Sequence, residues 1–315
     1  MTENKVLHLV PGLDIGGLER VVFTLCEQQK TKSWEPLVYA FESDSGSMVP
    51  LFEKVGIRTI CRAKGRGFSW QLPFRLLQLT KTNGIRLIHS HDLGSLIYAV
   101  LASLLSCRKL RVVHTQHSFQ HLKNPRAKLY EKIFPRFADS IACVSDEIVQ
   151  TYDRLGQNKK HLQLIPNGVS FSNPKPTENK SSVRHRLLEQ LNLPTTLAEK
   201  KWALYLGRLS KQKGAFHLAN LWNAAAPEGA ELFLVGPESE MGILTTLKQL
   251  EIPHLHLAGP SLQSTDWLRA SDIFLSASEQ EGLPMAVLEA AAHRLPTLLS
   301  EIPGHERFRG WACFF

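Results

Sequence analysis

The sequence predicts an α/β protein built from two Rossmann-like domains, each a doubly wound parallel sheet covered by helices. Short apolar segments of strand length alternate with longer segments of helical periodicity along the whole chain, which is typical of parallel α/β folds. A polar, proline-containing stretch, SNPKPTENKSS, interrupts this alternation near the middle. The chain has 315 residues, 43% of them hydrophobic, which is enough for two domains with a core each.

The first predicted domain covers residues 1–170. Its strands are KVLHLV, WEPLVYAFE, IRTICRA, RLIHSH, RVVHTQHS, SIACVS and HLQLI. The intervening helices include GGLERVVFTLCEQQ, QLPFRLLQLTKTN, LGSLIYAVLASLL, the basic segment LKNPRAKLYEKIFPRFA and DEIVQTYDRLG. The alternation of strands with helices predicts a doubly wound parallel sheet.

A linker region at residues 171–200 and a second domain at 201–315 complete the chain. The linker region contains a helical piece, VRHRLLEQLNL. The second domain has the strands KWALYLGRL, AELFLVG, HLHLAGP, SDIFLSAS and LPTLLS, separated by predicted helices, and RGWACFF is a candidate last strand. Since open α/β sheets bind ligands beyond the carboxyl ends of their strands, we expect the site in a cleft between the two domains.

The chain is expected to be cytoplasmic. No apolar run reaches the roughly 18–20 residues that span a bilayer, and the longest, from Leu93 to Cys107, suits a buried helix. The N-terminus lacks the pattern of a signal peptide. The five cysteines are far apart and form no CxxC motif, which is typical of reduced thiols.

Positive charge is concentrated in the first half of the chain. Residues 1–170 hold 23 Lys and Arg against 14 Asp and Glu, a net charge of +9, and residues 171–315 hold 14 against 15, a net charge of −1. A solvated basic face would explain this, and so would peripheral contact with an anionic membrane or an anionic acceptor. Nucleic acid is a weaker candidate, because the basic runs lack interleaved aromatic residues and a recognisable binding motif.

Two acidic residues, Glu281 and Glu289, flank the start of a predicted helix after the strand SDIFLSAS. Pro284 suits the first helical position, where the N–H group that it lacks would have no partner. The helix MAVLEAAAHRL is apolar on nearly every face and should be buried, so the Glu289 carboxylate needs donors, which a sugar diol would supply. Alternatively, Glu281 complements the helix dipole and Glu289 pairs with a neighbouring arginine.

The segment EGLPMAVLEAAA resembles the Glu-x7-Glu motif of the retaining glycosyltransferases of family 4. The resemblance extends from GGLER near the N-terminus through GRLSKQKG and LFLVGPESE to the end of the chain. It implies the two-domain GT-B fold and a nucleoside-diphosphate sugar as donor. It also implies that Glu281 is catalytic and binds sugar hydroxyls, that Glu289 accepts from the ribose hydroxyls, and that Gly282 and Leu283 offer backbone N–H groups to the donor.

The segment GRLSKQKG places two cations, Arg208 and Lys213, just after a predicted strand. They could be solvated loop cations, or a clamp on a diphosphate whose negative charge grows in the transition state. The resemblance implies that both bind the donor phosphates. The eight aspartates form no Asp-x-Asp motif. We therefore expect a metal-independent transferase that needs no cofactor besides its donor substrate.

Glycines and histidines mark the strand ends of the first domain. Gly16 and Gly17 open a helix, whose N-terminus suits a phosphate or another anion. They resemble the family's N-terminal glycine loop, which approaches the donor diphosphate or the acceptor, and we assign them to donor binding. His89, His91, His114, His117 and His121 cluster in HSH and HTQHSFQH. A zinc site is conceivable there, although the spacing matches no common pattern. The resemblance implies that His117 is catalytic and faces the donor sugar.

The function that these patterns favour is transfer of a sugar to an acceptor hydroxyl in surface polysaccharide or glycolipid synthesis. Two alternatives remain, a non-catalytic GT-B protein that serves as a binding or partner subunit, and a nucleotide-sugar epimerase on the same fold. Members of the family usually continue for several tens of residues past the position of GWACFF. The resemblance therefore implies that the second domain is incomplete in this chain.

Overall fold

The computed structural model describes residues 4–107, 109–169 and 178–315, which divide into two units, Met1–Gly168 and Val169–Phe315. Each unit contains one parallel sheet with helices between its strands. The predicted α/β class with two doubly wound sheets is thereby confirmed.

The sheet of the first unit has the strand order β3-β2-β1-β4-β5-β6-β7 among the described residues. The strands are β1 (Asn4–Val10), β2 (Trp34–Ala40), β3 (Arg58–Cys61), β4 (Leu87–His91), β5 (Arg111–Gln116), β6 (Ser140–Cys143) and β7 (Leu162–Leu164). Five consecutive residues of β1, Val6 to Val10, are buried, because helices cover both faces of a parallel sheet. The order reverses between β1 and β4, which is where ligands bind in such sheets.

Six α-helices of the first unit lie between these strands in the described part of the chain. They are α1 (Gly17–Thr31), α2 (Val49–Lys54), α3 (Gln71–Asn83), α4 (Leu93–Leu105), α5 (Pro125–Ile133) and α6 (Asp146–Arg154). The basic helix predicted around residues 122–138 is shorter than expected. Asn124 caps α5 through its side chain, Pro125 is the first helical residue, and Pro135 lies in a separate 3-10 turn, Phe134–Phe137.

The sheet of the second unit has the order β10-β9-β8-β11-β12-β13. Its strands are β8 (Lys201–Leu206), β9 (Ala230–Val235), β10 (Leu255–Gly259), β11 (Ile273–Ser276), β12 (Thr297–Leu299) and β13 (Cys313–Phe314). Its helices are α7 (Lys180–Gln190), α8 (Ala215–Ala225), α9 (Ile243–Gln249), α10 (Ser264–Ala270) and α11 (Met285–Ala292). The order reverses between β8 and β11, so the loops after these strands lie at the expected ligand-binding edge.

Helix α7 lies within the region that the sequence analysis treats as a linker, and it packs on the second unit. Of residues 171–200, positions 171–177 lie outside the described residues. Arg184, on α7, is 7% exposed and donates hydrogen bonds to the carbonyl oxygens of Ala270, Ala198 and Lys200. It also donates to Asp272 Oδ2 at 2.6 Å, so residues 180–200 contribute to the core of the second unit.

No helix in the described part of the chain is both long and apolar enough to cross a membrane. Helix α4, the apolar segment identified in the sequence, is instead packed against β4, β5 and α3. Its N-cap residue Asp92 accepts a hydrogen bond from the backbone N–H of Ser95 at 2.7 Å.

Candidate functional site

Lys213 and Glu281 form an ion pair at the reversal point of the second sheet. Lys213 follows β8 and Glu281 follows β11, and the ammonium nitrogen lies 2.7 Å from Oε1 and 2.6 Å from Oε2 of the carboxylate. Glu281 is only 9% exposed, and Lys213 is half-buried. A buried carboxylate needs a partner of opposite charge or several donors, and here it has both. The structure thus brings together two of the residues predicted for the site.

A chain of serine hydroxyls supports the Glu281 carboxylate. Ser278 Oγ donates to Glu281 Oε1 at 2.7 Å and lies 3.2 Å from Ser276 Oγ. Ser300 Oγ, after β12, donates to the carbonyl oxygen of Ser278 at 2.6 Å. The segments after β8, β11 and β12 therefore fix the position of the Glu281 carboxylate, as an interaction with a substrate requires.

His305 is a buried polar residue near this carboxylate, and it is not among the residues predicted for the site. Its Nδ1 lies 2.8 Å from the carbonyl oxygen of Ser300, so Nδ1 carries the hydrogen and donates. Within the described residues, its Nε2 has no hydrogen-bond partner. Burial lowers the pKa of His305, although the Glu281 carboxylate acts in the opposite direction. The ring is therefore neutral and presents a lone pair on Nε2.

The loops after β8 and β11 are joined by backbone and amide hydrogen bonds. The backbone carbonyl oxygen of Gln212 accepts a hydrogen bond from the backbone N–H of Glu279 at 2.8 Å. The side-chain amide of Gln212 donates to the backbone carbonyl oxygen of Gln280 at 3.0 Å. These bonds hold Lys213 and Glu281 in register. The loop carrying Lys213 is therefore part of a rigid frame rather than a free surface loop.

Arg208 lies at the end of β8 with an exposed side chain, and its backbone carbonyl accepts from the Tyr205 hydroxyl at 2.6 Å. The loops after β9 and β10 adjoin each other there, since the N–H of Gly236 donates to the carbonyl of Gly259 at 2.8 Å. The structure does not bring Arg208 into an ion pair among the described residues, and its guanidinium faces solvent.

Helix α11 begins at Met285, with Pro284 as its N-cap, one residue later than predicted. Gly282 and Leu283 directly precede it, so they lie at the positive end of the helix dipole. Glu289 is half-buried in the middle of α11, and the helix is less completely buried than its apolar sequence predicts. Leu283 is buried and Gly282 is half-buried.

In the first unit, Gly16 is the N-cap of α1 and Gly17 is its first residue, after β1. The backbone of Gly16 is extended, so no positive φ requires glycine there. The carboxylate of Glu19 occupies the space that a Cβ at Gly16 would take. An anion bound at this helix end would therefore meet a negative charge that has to move aside.

Three imidazole rings form a hydrogen-bonded row at the reversal point of the first sheet. His117 Nε2 lies 3.2 Å from His91 Nδ1, and His91 Nε2 lies 3.0 Å from His8 Nδ1. His8 Nε2 lies 2.9 Å from Gln29 Oε1. Burial lowers the pKa of His8 to about 4 and that of His117 to about 3, and it lowers the pKa of His91 well below its usual value. The three rings are therefore neutral at pH 7.

The segment after β5 that carries His117 is held by a buried carboxylate, Glu131. Glu131 is fully buried on α5, and it accepts from Gln116 Nε2 at 3.1 Å and from the Tyr152 hydroxyl at 3.1 Å. His121 Nε2 lies 2.7 Å from the same carboxylate. His114 joins this network through Gln116 Oε1 at 2.8 Å, and so contributes to the structure of the loop.

Asp92, next to His91, has a backbone conformation that is rare for a residue other than glycine, with φ at 111°. Burial raises the pKa of its carboxyl to about 6, although the backbone N–H of Ser95 donates to it. Strained residues of this kind concentrate at functional sites, because the surrounding fold must hold them in place.

The histidines that could share a metal ion are His8, His89 and His91, whose ring nitrogens lie within 4.8 Å of one another. His89 Nε2 lies 2.7 Å from Thr115 Oγ1. Both nitrogens of His8 and both of His91 take part in the row of hydrogen bonds described above. Metal binding would break these bonds, so this donor set suits hydrogen bonding better than coordination.

Three of these functional candidates were not identified from the sequence, namely His8, Glu131 and His305. The sequence does contain an indication for His8, because it is a lone polar residue inside the apolar strand KVLHLV. Glu131 had none, since LYEKIF reads as an ordinary basic surface helix. His305 follows a glycine in a polar loop, where sequence gives no indication of burial.

Comparison with known families gives two matches that together cover most of the chain. Residues 15–173 match the family described as Glycosyltransferase Family 4, and residues 200–311 match the family described as Glycosyl transferases group 1. The matched segments contain every residue predicted for the site.

Two curated relatives and one solved structure illustrate the similarity. The amylovoran biosynthesis glycosyltransferase AmsD of Erwinia amylovora is 26% identical over 300 residues, which cover 93% of this chain and 80% of the relative. The Escherichia coli UDP-Gal:alpha-D-GlcNAc-diphosphoundecaprenol alpha-1,3-galactosyltransferase is 26% identical over 266 residues, covering 79% of this chain and 66% of that protein. Anabaena Alr3699/HepE, solved with UDP-glucose, has a TM-score of 0.79 at 18% identity, with 99% of this chain and 85% of that chain covered.

Proposed function

Because this chain belongs to glycosyltransferase family 4 and has the GT-B fold, we propose that it transfers a sugar from a nucleoside-diphosphate sugar to an acceptor hydroxyl, with retention of anomeric configuration. The acceptor is a growing surface polysaccharide or glycolipid. The curated relatives support this class of product, since their names place them in the synthesis of amylovoran, capsule and O-antigen. The reaction takes place in the cytoplasm, where nucleotide sugars are made.

The observation that carries the proposal is the ion pair of Lys213 and Glu281 at the reversal point of the second sheet. Each partner is a group that a sugar diphosphate needs, a cation for the phosphates and a carboxylate for the sugar hydroxyls. A donor that inserts between them replaces one buried pair by two charge-assisted contacts. Arg208, exposed at the neighbouring strand end, supplies a second cation.

In the proposed reaction, the bond between the anomeric carbon and the diphosphate oxygen breaks while the acceptor oxygen bonds to the same face of the sugar. The acceptor proton passes to the departing diphosphate. Negative charge accumulates on the diphosphate, so Lys213 and Arg208 stabilise the transition state more than the ground state. Glu281 and Glu289 hold the sugar and ribose hydroxyls, the backbone N–H groups of Gly282 and Leu283 contact the donor at the start of α11, and no metal ion is required.

The surface of the first unit has features that suit contact with an anionic acceptor or an anionic membrane. Phe68, Trp70 and Phe74 are exposed at the start of α3, with Trp70 72% exposed, and Lys64 lies in the same connection. On α5, the exposed apolar residues Leu129, Tyr130 and Ile133 alternate with the cations Arg126, Lys128 and Lys132. Apolar and aromatic side chains beside cations suit an anionic lipid interface.

The test is a binding and transfer assay with the purified chain. Thermal shifts with UDP, GDP, ADP and CMP, with and without EDTA, identify the base, and the matching sugar nucleotide is then incubated with lipid-linked saccharide acceptors. We expect one diphosphate to stabilise the chain regardless of EDTA, and transfer to follow. Conversion of the donor sugar without an acceptor would indicate an epimerase, and donor binding without any turnover would indicate a non-catalytic protein.

The variants Lys213→Ala and Lys211→Ala provide a matched pair within the same loop. The side chain of Lys211 is exposed, whereas that of Lys213 contacts Glu281. Loss of diphosphate binding in Lys213→Ala, with binding retained in Lys211→Ala, would support the site. Equal effects of the two substitutions would reject it.

A further inference from the structure

The row of imidazoles that ends at His117 has a direction. His8 Nε2 faces the carbonyl oxygen of the Gln29 side chain at 2.9 Å, and an oxygen of this kind only accepts. His8 Nε2 therefore carries a hydrogen. Since a neutral imidazole has one N–H group, His8 Nδ1 is left with a lone pair.

The same rule fixes the next two rings. His91 Nε2 lies 3.0 Å from His8 Nδ1. Because His8 Nδ1 has only a lone pair, His91 Nε2 is the donor, and His91 Nδ1 is therefore an acceptor. His117 Nε2, at 3.2 Å, donates to that nitrogen. By elimination, His117 has a lone pair on Nδ1, the nitrogen that the row does not use.

Burial keeps the three rings of the row neutral, so each carries one N–H group. His8 and His91 are both fully buried, and a positive charge on either would lack water. Burial also lowers the pKa values of the neighbouring rings of His89 and His114, so these two imidazoles are neutral as well. The carboxylates of Asp92 and Glu131 are committed elsewhere, to Ser95 and to Gln116, Tyr152 and His121.

We infer that His91 and His8 are positioning residues, which fix the tautomer of His117 so that its Nδ1 accepts a hydrogen bond from a hydroxyl group of the sugar substrate. The inference rests on the proposed function for the chemistry at His117. It assigns that histidine an accepting role and excludes the role of a proton donor. A general acid would need a hydrogen on Nδ1, which the row denies it.

The tautomers can be measured without any substrate. In the full chain with ¹⁵N-labelled histidine, two-bond ¹H–¹⁵N spectra distinguish a nitrogen that carries hydrogen from one with a lone pair. Assignment uses the His8→Phe, His91→Asn and His117→Gln variants. We expect Nε2–H with bare Nδ1 on all three rings from pH 7.5 to pH 5.5. Nδ1–H on His117 would overturn the inference, and so would Zn²⁺ binding that shifts His8, His89 and His91 together in the purified chain.

Kinetics then separate positioning from simple structural support. His91→Asn keeps an acceptor near the position of Nδ1, and His91→Leu removes it. We expect His91→Leu to lower kcat by at least about 10-fold with KM for the donor little changed, because His117 is then free to turn and to change tautomer. His91→Asn should restore kcat to within about three-fold of the parent, since its carbonyl oxygen can accept from His117 Nε2.

The two proposals fail in different ways. No transfer by the parent protein with any sugar nucleotide would reject the proposed function, whatever the tautomers are. Transfer by the parent with equal kcat in His91→Leu and His91→Asn, at matched thermal stability, would reject the positioning role alone. If thermal stability and kcat fall in parallel in both variants, the positioning role is also rejected, since that is the pattern of a purely structural residue.

Discussion

Gly214, the N-cap of α8, lies so close to the backbone of Ala277 that a Cβ at Gly214 would overlap the carbonyl oxygen of Ala277. Gly214 also has a positive φ of 67°, which glycine adopts without strain. One glycine thus allows the loop that carries Lys213 to pack directly against the loop that carries Glu281. The ion pair between those side chains depends on this contact of backbones.

Gly214→Ala is expected to destabilise the protein by about 3 kcal/mol, from the strained φ together with the overlap with Ala277. Gly229→Ala is the matched control, because Gly229 has a similar φ of 73° with no atom within 4 Å of a built Cβ. It should cost about 1 kcal/mol. Urea unfolding of both variants measures the difference, and equal losses of stability would show that the close approach has no energetic effect.

Glu281→Gln and Lys213→Ala are each expected to lower turnover at least about 100-fold. In the proposed reaction, Lys213 stabilises the charge on the departing diphosphate, and Glu281 holds the sugar hydroxyls in position. The double variant should lose much less than the product of the two single losses, since the side chains contact each other. Steady-state kinetics with saturating donor test this. If the two losses multiply in the double variant, the residues act independently, which would contradict the proposal that the ion pair binds the donor as one unit.

Arg184→Ala should destabilise the second unit by about 3 kcal/mol, because it leaves three carbonyl oxygens without their donor and removes a buried cation from the Asp272 carboxylate. That carboxylate keeps the hydrogen bonds from Lys180 and from the backbone N–H of Trp202. Arg186→Ala, two residues further along α7, removes ion pairs to Glu178 and Asp266 at a more exposed site. That control should cost about 1 kcal/mol or less. Thermal unfolding ranks the two variants, and a larger effect at Arg186 would contradict the structure.

Stability should fall as the pH falls from 6.5 towards 4. Burial lowers the pKa of His8 to about 4 and that of His117 to about 3, so the unfolded chain takes up protons that the folded chain refuses. The stabilisation is complete above pH 6.5, and each histidine removes about 1.4 kcal/mol per pH unit below it. Asp92 acts in the opposite sense, because burial raises its pKa to about 6.

Urea unfolding at pH 7.5, 6.5, 5.5 and 4.5, followed by tryptophan fluorescence, measures this slope. Burial also lowers the pKa values of His89, His91 and His114, so the histidines outweigh the single aspartate. Stability that is constant or increases between pH 6.5 and 4.5 would show that the imidazole row is hydrated in solution.

Trp70→Ala is expected to weaken binding to anionic vesicles at least about five-fold, since an exposed tryptophan is a strong interfacial anchor. Trp311→Ala is the control, because Trp311 is also exposed, at 45%, but belongs to the second unit. Co-sedimentation with vesicles of phosphatidylglycerol and phosphatidylcholine, against phosphatidylcholine alone, gives the measurement. Equal binding to both vesicle types would reject an electrostatic contribution.

The strands and most helices could be predicted because their apolar segments are long and clearly bounded. The segments QLPFRLLQLTKTN and LGSLIYAVLASLL coincide with α3 and α4 residue for residue. The helix predicted between the strands AELFLVG and HLHLAGP covers only Ile243–Gln249, because its N-cap Gly242 has a left-handed backbone conformation. Boundaries of this kind depend on single backbone conformations, which a hydrophobic pattern does not encode.

The candidate site was predictable where residues belong to a motif, and not where long-range contacts create it. Lys213 and Glu281 were each proposed, but their direct contact joins positions 68 residues apart and follows from the strand order. His8 and His91, 83 residues apart, meet because β1 and β4 are neighbours. Which strands become neighbours is set by the packing of the whole sheet, and no local pattern reports it.

The hydrogen bonds of Arg184 determine where this protein can be divided. A gene fragment that starts at Lys201 would encode all six strands of the second sheet, yet its product would expose Trp202, over whose ring the Arg184 guanidinium lies at 4.9 Å. Exchange of the sheet between related proteins, whether in the laboratory or through recombination, would therefore succeed only if α7 is transferred with it. In this chain, the smallest segment that can be exchanged intact comprises the second sheet together with α7.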